Sequence, residues 1–212
     1  MTETTTLRGY KIRMRKGIQH WDVLLEEWLL CIEQYCSLAS GDDAPFIYTE
    51  RANIGVLAGA AWRRGWIALE EFQYQKGYKN KPKWNGRADL YLASKRTEEV
   101  IEAKFSWLSL RSPRSTPAKA TKVLDRAIEA AKQTKGGNSN LRCLAVAFLP
   151  VWFPSKRSDV LEKKIQATIS ELSNAEFHAL AWCFPKEFRR IENSLGNFMP
   201  GIIMVVSNLA YR

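Results

Sequence analysis

The stretch GRADLYLASKRTEEVIEAKF, residues 86–105, constrains this chain more than any other. Two apolar runs flank the polar tetrapeptide SKRT, the pattern of two strands joined by a short connection. Strand alternation puts Ile101, Ala103 and Phe105 on one side and Glu102 and Lys104 on the other. In the preceding strand, Asp89 and Tyr91 share the face opposite Leu90 and Leu92. A hairpin centred on SKRT pairs Ala93 with Glu98, and the same register sets Asp89 opposite Glu102. Lys104 then falls one step along that face.

Like charges directly opposite on a sheet cost up to about 1 kcal/mol, so stability alone gives no reason to align two carboxylates. Charges alternating on a solvated strand are common, and the tripeptide Glu102-Ala103-Lys104 by itself favours that plain reading. The aligned Asp89 shifts the balance towards chemistry. An aspartate, a glutamate and the Ala103 backbone carbonyl make an oxygen-rich set suited to Mg²⁺ or Mn²⁺. A lysine beside them could orient or help deprotonate a water, and these parts would serve phosphodiester hydrolysis.

Charge supports a polyanionic partner. The chain carries a formal net charge of +10 over 212 residues, and the basic residues cluster. FQYQKGYKNKPKWNGRA (72–88) holds Lys76, Lys79, Lys81, Lys83 and Arg87 with no acid, interleaved with Tyr74, Tyr78 and Trp84. A second cluster includes Arg111, Arg114, Lys119 and Lys122. Such residues neutralise phosphates, and interleaved rings can stack on bases; a solvated loop with core-packed aromatics explains any single one equally well. Nucleic acid is the first partner expected, an anionic membrane surface the second.

The four cysteines form no Cys-x-x-Cys pair and only His20 and His178 are present, which argues against a structural zinc site. Cys143 and Cys183, in apolar runs, read as buried thiols, and both histidines as structural. No stretch reaches the ~18–20 uninterrupted apolar residues of a membrane span, and the first residues lack the apolar segment of a secretory signal. A cytoplasmic protein is expected.

Along the chain, a polar arm precedes an amphipathic helix over 18–39. A second helix spans TERANIGVLAGAAWRRG, with Thr49 as N-cap and Gly65 as its stop. WIALEEFQYQ, RADLYLA and EEVIEAKFSW are three strands. A Ser/Pro/Arg-rich connector leads to the helix KVLDRAIEAAKQTK, the turn GGNSN and the apolar strand LRCLAVAFLP. A helix starting at Ser158 and the strands FHALAWCF and GIIMVVS complete the order. A meander followed by an α/β crossover predicts an α/β fold with a mixed central sheet flanked by helices. Residues 1–48 read as an arm and helix packed on the core, and 49–212 as the main domain, one compact unit overall.

At this point the chain resembles the PD-(D/E)XK nuclease superfamily, the restriction-endonuclease-like proteins. The matching residues are Asp89, then Glu102-Ala103-Lys104; Ala88 stands where the motif's name has proline. The resemblance covers roughly 49–150 and implies an α-β-β-β-α-β core, extended here by an N-terminal helix and C-terminal strands. It implies a Mg²⁺- or Mn²⁺-dependent endonuclease, DNA favoured over RNA, with Asp89, Glu102 and the Ala103 carbonyl as metal ligands and Lys104 as a catalytic partner. A further acid on the preceding helix is common in the family: Glu50 matches, with Glu70 and Glu71 as competitors. Gln133 or Lys132 could reach the scissile phosphate, and an exposed helix face explains them as well. Trp107 reads as a packing residue rather than a base wedge. Specificity would have to come from loops, the N-terminal helix, a homodimer or a partner protein. Two other functions remain open: a nuclease-like fold that binds nucleic acid without cutting it, and an acid-handling enzyme or oligomeric scaffold whose charge is incidental.

Overall fold

The computed structural model describes residues 5–78, 81–137 and 141–211. Strands are β1 (Leu7–Ile12), β2 (Ile67–Lys76), β3 (Trp84–Ala93), β4 (Glu98–Phe105), β5 (Leu108–Ser109), β6 (Arg142–Pro154), β7 (Ala179–Phe184) and β8 (Asn197–Asn208). Helices are α1 (Asp22–Leu38), α2 (Glu50–Arg63), α3 (Thr116–Gly137) and α4 (Leu161–Asn174). One mixed sheet runs in the order β1-β7-β8-β6-β4-β3-β2, with β5 paired to β6 off that path. β2, β3 and β4 form an antiparallel meander, and α3 carries the chain across to β6, which lies parallel to β4. The α/β architecture with a helix-flanked mixed sheet is therefore as the alternation and spacing predict.

The period-2 pattern sorts the core into two layers. Along β6, Leu144, Val146 and Phe148 pack with α1 and α2, while Cys143, Ala145 and Ala147 pack with α3 and α4. A central strand buried on both faces must be apolar throughout, which is why LRCLAVAFLP shows no polar alternation. α1 contributes Leu24, Leu25, Trp28 and Ile32 to the first layer, so the N-terminal helix shares the main core. Thr49 caps α2, its hydroxyl accepting from the Ala52 N–H at 3.3 Å, and Gly65 closes the helix at φ +72°, a value that suits glycine. Among the described residues no helix is long and apolar enough to cross a membrane.

Several segments depart from expectation. The polar arm contains β1, whose six residues pair antiparallel with β7. Gly136 and Gly137, expected in a turn, end α3 instead. Ser158 lies in a 3-10 segment (Ser155–Val160) that precedes α4.

The departure that matters most for function is a bend in the β2–β3 ribbon. Glu71 sits at φ +46°, unfavourable for a side chain with a Cβ, and Glu71 and Asp89 drop out of an otherwise continuous pairing. Alternation breaks with it: Leu90 and Leu92 pack in the α2 layer but Ala88 in the α3 layer. Beyond the bend the ribbon lies over the end of α3. The Gly77 N–H donates to the Gln133 carbonyl at 2.9 Å, and the Lys83 ammonium caps the helix by donating to the Gly137 carbonyl at 2.7 Å.

Candidate active site

The hairpin register is the expected one: Ala93 faces Glu98 and Leu90 faces Ile101. The ladder stops there, one rung before Asp89 and Glu102. At the bend the Asp89 side chain replaces the missing rung, Oδ2 accepting from the Ala103 N–H at 2.7 Å. The expectation of Asp89 and Glu102 as a regular cross-strand pair is corrected to this side chain-to-backbone arrangement. The two carboxylates still lie within each other's field.

Glu102 is 2% exposed. Its Oε1 accepts from the Thr134 hydroxyl on α3 at 2.5 Å and meets the Lys76 ammonium at 2.8 Å. Burial pushes the Glu102 carboxyl above the usual range, and the Asp89 charge pushes the same way; the hydrogen bonds from Lys76 and Thr134 oppose both without cancelling them.

Lys104 does not share the Glu102 environment, as simple alternation implied. It stands beyond the last β3–β4 rung, and its long side chain turns to the α2 layer. There Nζ meets Glu50 Oε1 at 3.4 Å and donates to the Ala103 carbonyl at 2.5 Å. Glu50 occupies the first turn of α2, and its carboxylate also accepts from the Phe105 N–H. Burial raises the Glu50 carboxyl, Lys104 lowers it and Asp89 raises it again, with a net upward shift. Of the three acids considered for this position, Glu50 is the one beside Lys104. Glu70 lies against Gly55, and Glu71 is held by Arg51 at 3.3 Å and Arg87 at 3.2 Å.

The site thus gathers Glu50 from α2, Asp89 from β3 and Glu102, Ala103 and Lys104 from β4. Lys76 and Thr134 close it from the folded-over ribbon and from α3. Among the described residues no group of three or more His, Cys, Asp or Glu side chains has its atoms gathered as a finished metal site. The donor chemistry nonetheless fits a small divalent cation. Three carboxylates face two ammonium groups, leaving one negative charge in excess, and two of the carboxyls are already pushed upward by crowding and burial.

The remaining sequence candidates are dispersed. Lys76 is in the site and not on an open phosphate-binding surface. Lys81 lies 5.7 Å from the Tyr78 ring centre, Lys83 caps α3, and Lys79 falls outside the described residues. Arg111, Arg114, Lys119 and Lys122 are exposed before and along the first turns of α3. At 1.5 Å per residue, Lys119 and Lys122 stand about 18–22 Å along the helix from Thr134. They could meet only phosphates several nucleotides from a bond held at Glu102. Gln133 donates to the Tyr78 hydroxyl at 3.0 Å and Lys132 pairs with Glu129 at 3.3 Å. His20 and Trp21 both bind the buried Glu99, at 2.8 and 2.7 Å, and His178 accepts the Asn208 N–H at 2.9 Å, so each histidine has a structural partner. Thr134 carried no signal in the sequence, since nothing marks which threonine on a helix will face a buried carboxylate.

Comparison with family models, with curated proteins and with solved structures returned no match.

Proposed function

We propose that this protein is a metal-dependent nuclease that hydrolyses phosphodiester bonds, with DNA the favoured substrate and PD-(D/E)XK-type chemistry. The observation that carries the reading is that Asp89 lies in the field of both Glu50 and Glu102, so that acids from α2, β3 and β4 neighbour one another, with Lys104 beside Glu50. The order α2-β2-β3-β4-α3-β6, antiparallel through β4 and parallel at β6, supports it because the resemblance implies that order.

Asp89, Glu102 and the Ala103 carbonyl would hold Mg²⁺ or Mn²⁺. Bound there, the ion would lower the pKa of a water and offset charge on the phosphate. Lys104, held by Glu50, would orient the attacking water and stabilise charge growing on a phosphate oxygen. Glu50 holds that ammonium in position. Thr134 and Lys76 fix the Glu102 carboxylate so that its free oxygen is presented in one orientation.

Plasmid and oligonucleotide DNA incubated with Mg²⁺ or Mn²⁺ should be cut, and EDTA should stop the reaction. Asp89→Ala, Glu102→Ala and Lys104→Ala should each abolish cutting while the far-ultraviolet dichroism of the fold is kept. Wild-type rates in all three variants would refute the site. A second reading is favoured by one specific feature: Lys76 and Lys104 already satisfy Glu102 and Glu50 internally. Such a site could belong to a module that binds nucleic acid without cutting it. Salt-sensitive binding with no metal-dependent turnover would select that reading.

A further inference from the structure

We infer that a pocket next to the candidate active site, walled by Trp107 and Trp152, receives an unpaired nucleobase of the nucleic acid held at Lys104. The inference rests on the nuclease reading and specifies its substrate: a strand with at least one base outside a duplex.

The pocket has a volume of about 450 Å³ and is lined by Trp107, Trp152, Asn193, Leu195, Asn197 and Met199. That volume lies within the ~300–1,000 Å³ of small-ligand pockets. The lining contains two indole rings, two primary amides and no charged residue. Indole faces stack on bases of any sequence, and amides can address base edges. The lining offers a phosphate no cation, whereas a base could stack on an indole face.

Position adds a second argument. Trp107 follows Lys104 by three residues, about 10 Å of extended chain. Contact runs continuously between them. The Phe105 amide binds Glu50, and the Phe105 ring meets Trp107 edge-on with centres 6.1 Å apart. Trp152 stands opposite Ser109 on β6, the strand parallel to β5. A base in the pocket would therefore leave its own backbone beside Lys104, with the exposed Arg111 on the further side. The chain's net charge of +10 favours that polyanionic occupant over a neutral or basic partner.

The rim is built and not slack. Asn193 Oδ1 accepts from the Leu195 and Asn197 N–H groups, each at 3.0 Å. Gly196 turns at φ +73°, and the Ser155 N–H binds its carbonyl at 3.0 Å. This turn holds Leu195 out at 81% exposure beside the pocket.

The test is fluorescence anisotropy in EDTA with labelled dT20, the same strand containing consecutive abasic positions, and a fully paired duplex of equal length. Trp107→Ala and Trp152→Ala should each weaken dT20 binding about tenfold and weaken duplex and abasic-strand binding markedly less. Leu195→Ser, at a position too exposed to endanger folding, should move the same ratio. Equal losses on all three probes, no loss on dT20, or no binding of dT20 by the wild type would overturn the pocket assignment. So would sedimentation showing a wild-type dimer that Leu195→Ser splits, since a second copy would then be the occupant. Cleavage in Mg²⁺ separates the two readings. Asp89-dependent cutting with an unchanged ratio removes the pocket and leaves the nuclease, while a changed ratio without cutting does the reverse.

Discussion

A lysine ammonium buried against a glutamate costs free energy unless each group satisfies the other, and Lys76 illustrates the balance. Its side chain is 13% exposed and that of Glu102 3%, with 2.8 Å between them. Removing one partner of such a pair leaves the other charge buried and unpaired, at a cost of ~3–5 kcal/mol. Lys76→Met should therefore lower unfolding free energy by about 3 kcal/mol, read from the urea midpoint at constant slope. A loss below about 1 kcal/mol, the value typical of exposed pairs, would mean that water reaches Glu102. Millimolar Mg²⁺ should restore part of the loss in Lys76→Met, because a ligand bound only by the folded state stabilises it. Lys76 was legible in the sequence as one basic residue among several. Its particular role was not, because the bend that brings it to Glu102 carries no glycine or proline to announce it.

That bend is a property of the element and not of any one contact. The β2–β3 ribbon turns at Glu71 and Asp89 and lies on the last turns of α3, so the ribbon and the helix must approach closely. Gly136 and Gly137 allow the approach: a methyl group at Gly137 would overlap the Gln75 carbonyl oxygen, and one at Gly136 the Gly77 carbonyl. Both neighbours are backbone and cannot swing aside. Gly137→Ala should thus cost about 2 kcal/mol by overpacking and should slow phosphodiester cleavage by withdrawing Lys76 from Glu102. An Ala variant with full stability and full rate would show that the ribbon is free to lift. Local signals were readable here in proportion to how local their physics is. The Thr49 cap, the Gly65 stop and the Ala93–Glu98 register each depend on a few neighbouring residues and are as expected. In sequence the pair Gly136-Gly137 reads as a turn because glycine pairs usually mark one; its use as a docking surface depends on a strand about sixty residues earlier in the chain.

At the scale of the molecule, both the candidate site and the Trp107 pocket lie at the C-terminal ends of the parallel strands β4 and β6, the edge where open α/β sheets place their ligands. The opposite margin of the sheet has a different task. There β1 covers β7, an apolar strand that would otherwise present unpaired N–H and C=O groups. LRGYKI reads as part of a polar arm because it is short and Arg8 and Lys11 interrupt its apolar residues. Those polar residues do the closing. Lys11 donates to the Ser173 carbonyl at 3.1 Å and the Tyr10 hydroxyl to Asp22 at 2.7 Å. Arg8 meets Glu26 and Glu33 on α1 at 3.4 and 3.5 Å. Deleting residues 1–12 removes six paired residues at a net worth of ~1 kcal/mol per hydrogen bond, so the loss should reach at least about 3 kcal/mol. It also bares an edge whose side chains are apolar. The truncated chain should accordingly show both a lower urea midpoint and concentration-dependent light scattering at temperatures where the full chain stays monodisperse. Charge reinforces the second effect, because the deletion takes Arg8 and Lys11 from the edge, and lysine or arginine at a sheet margin is what discourages another strand from pairing there. If the truncated chain kept its midpoint and stayed monodisperse, β1 would be an ornament on a sheet that closes without it.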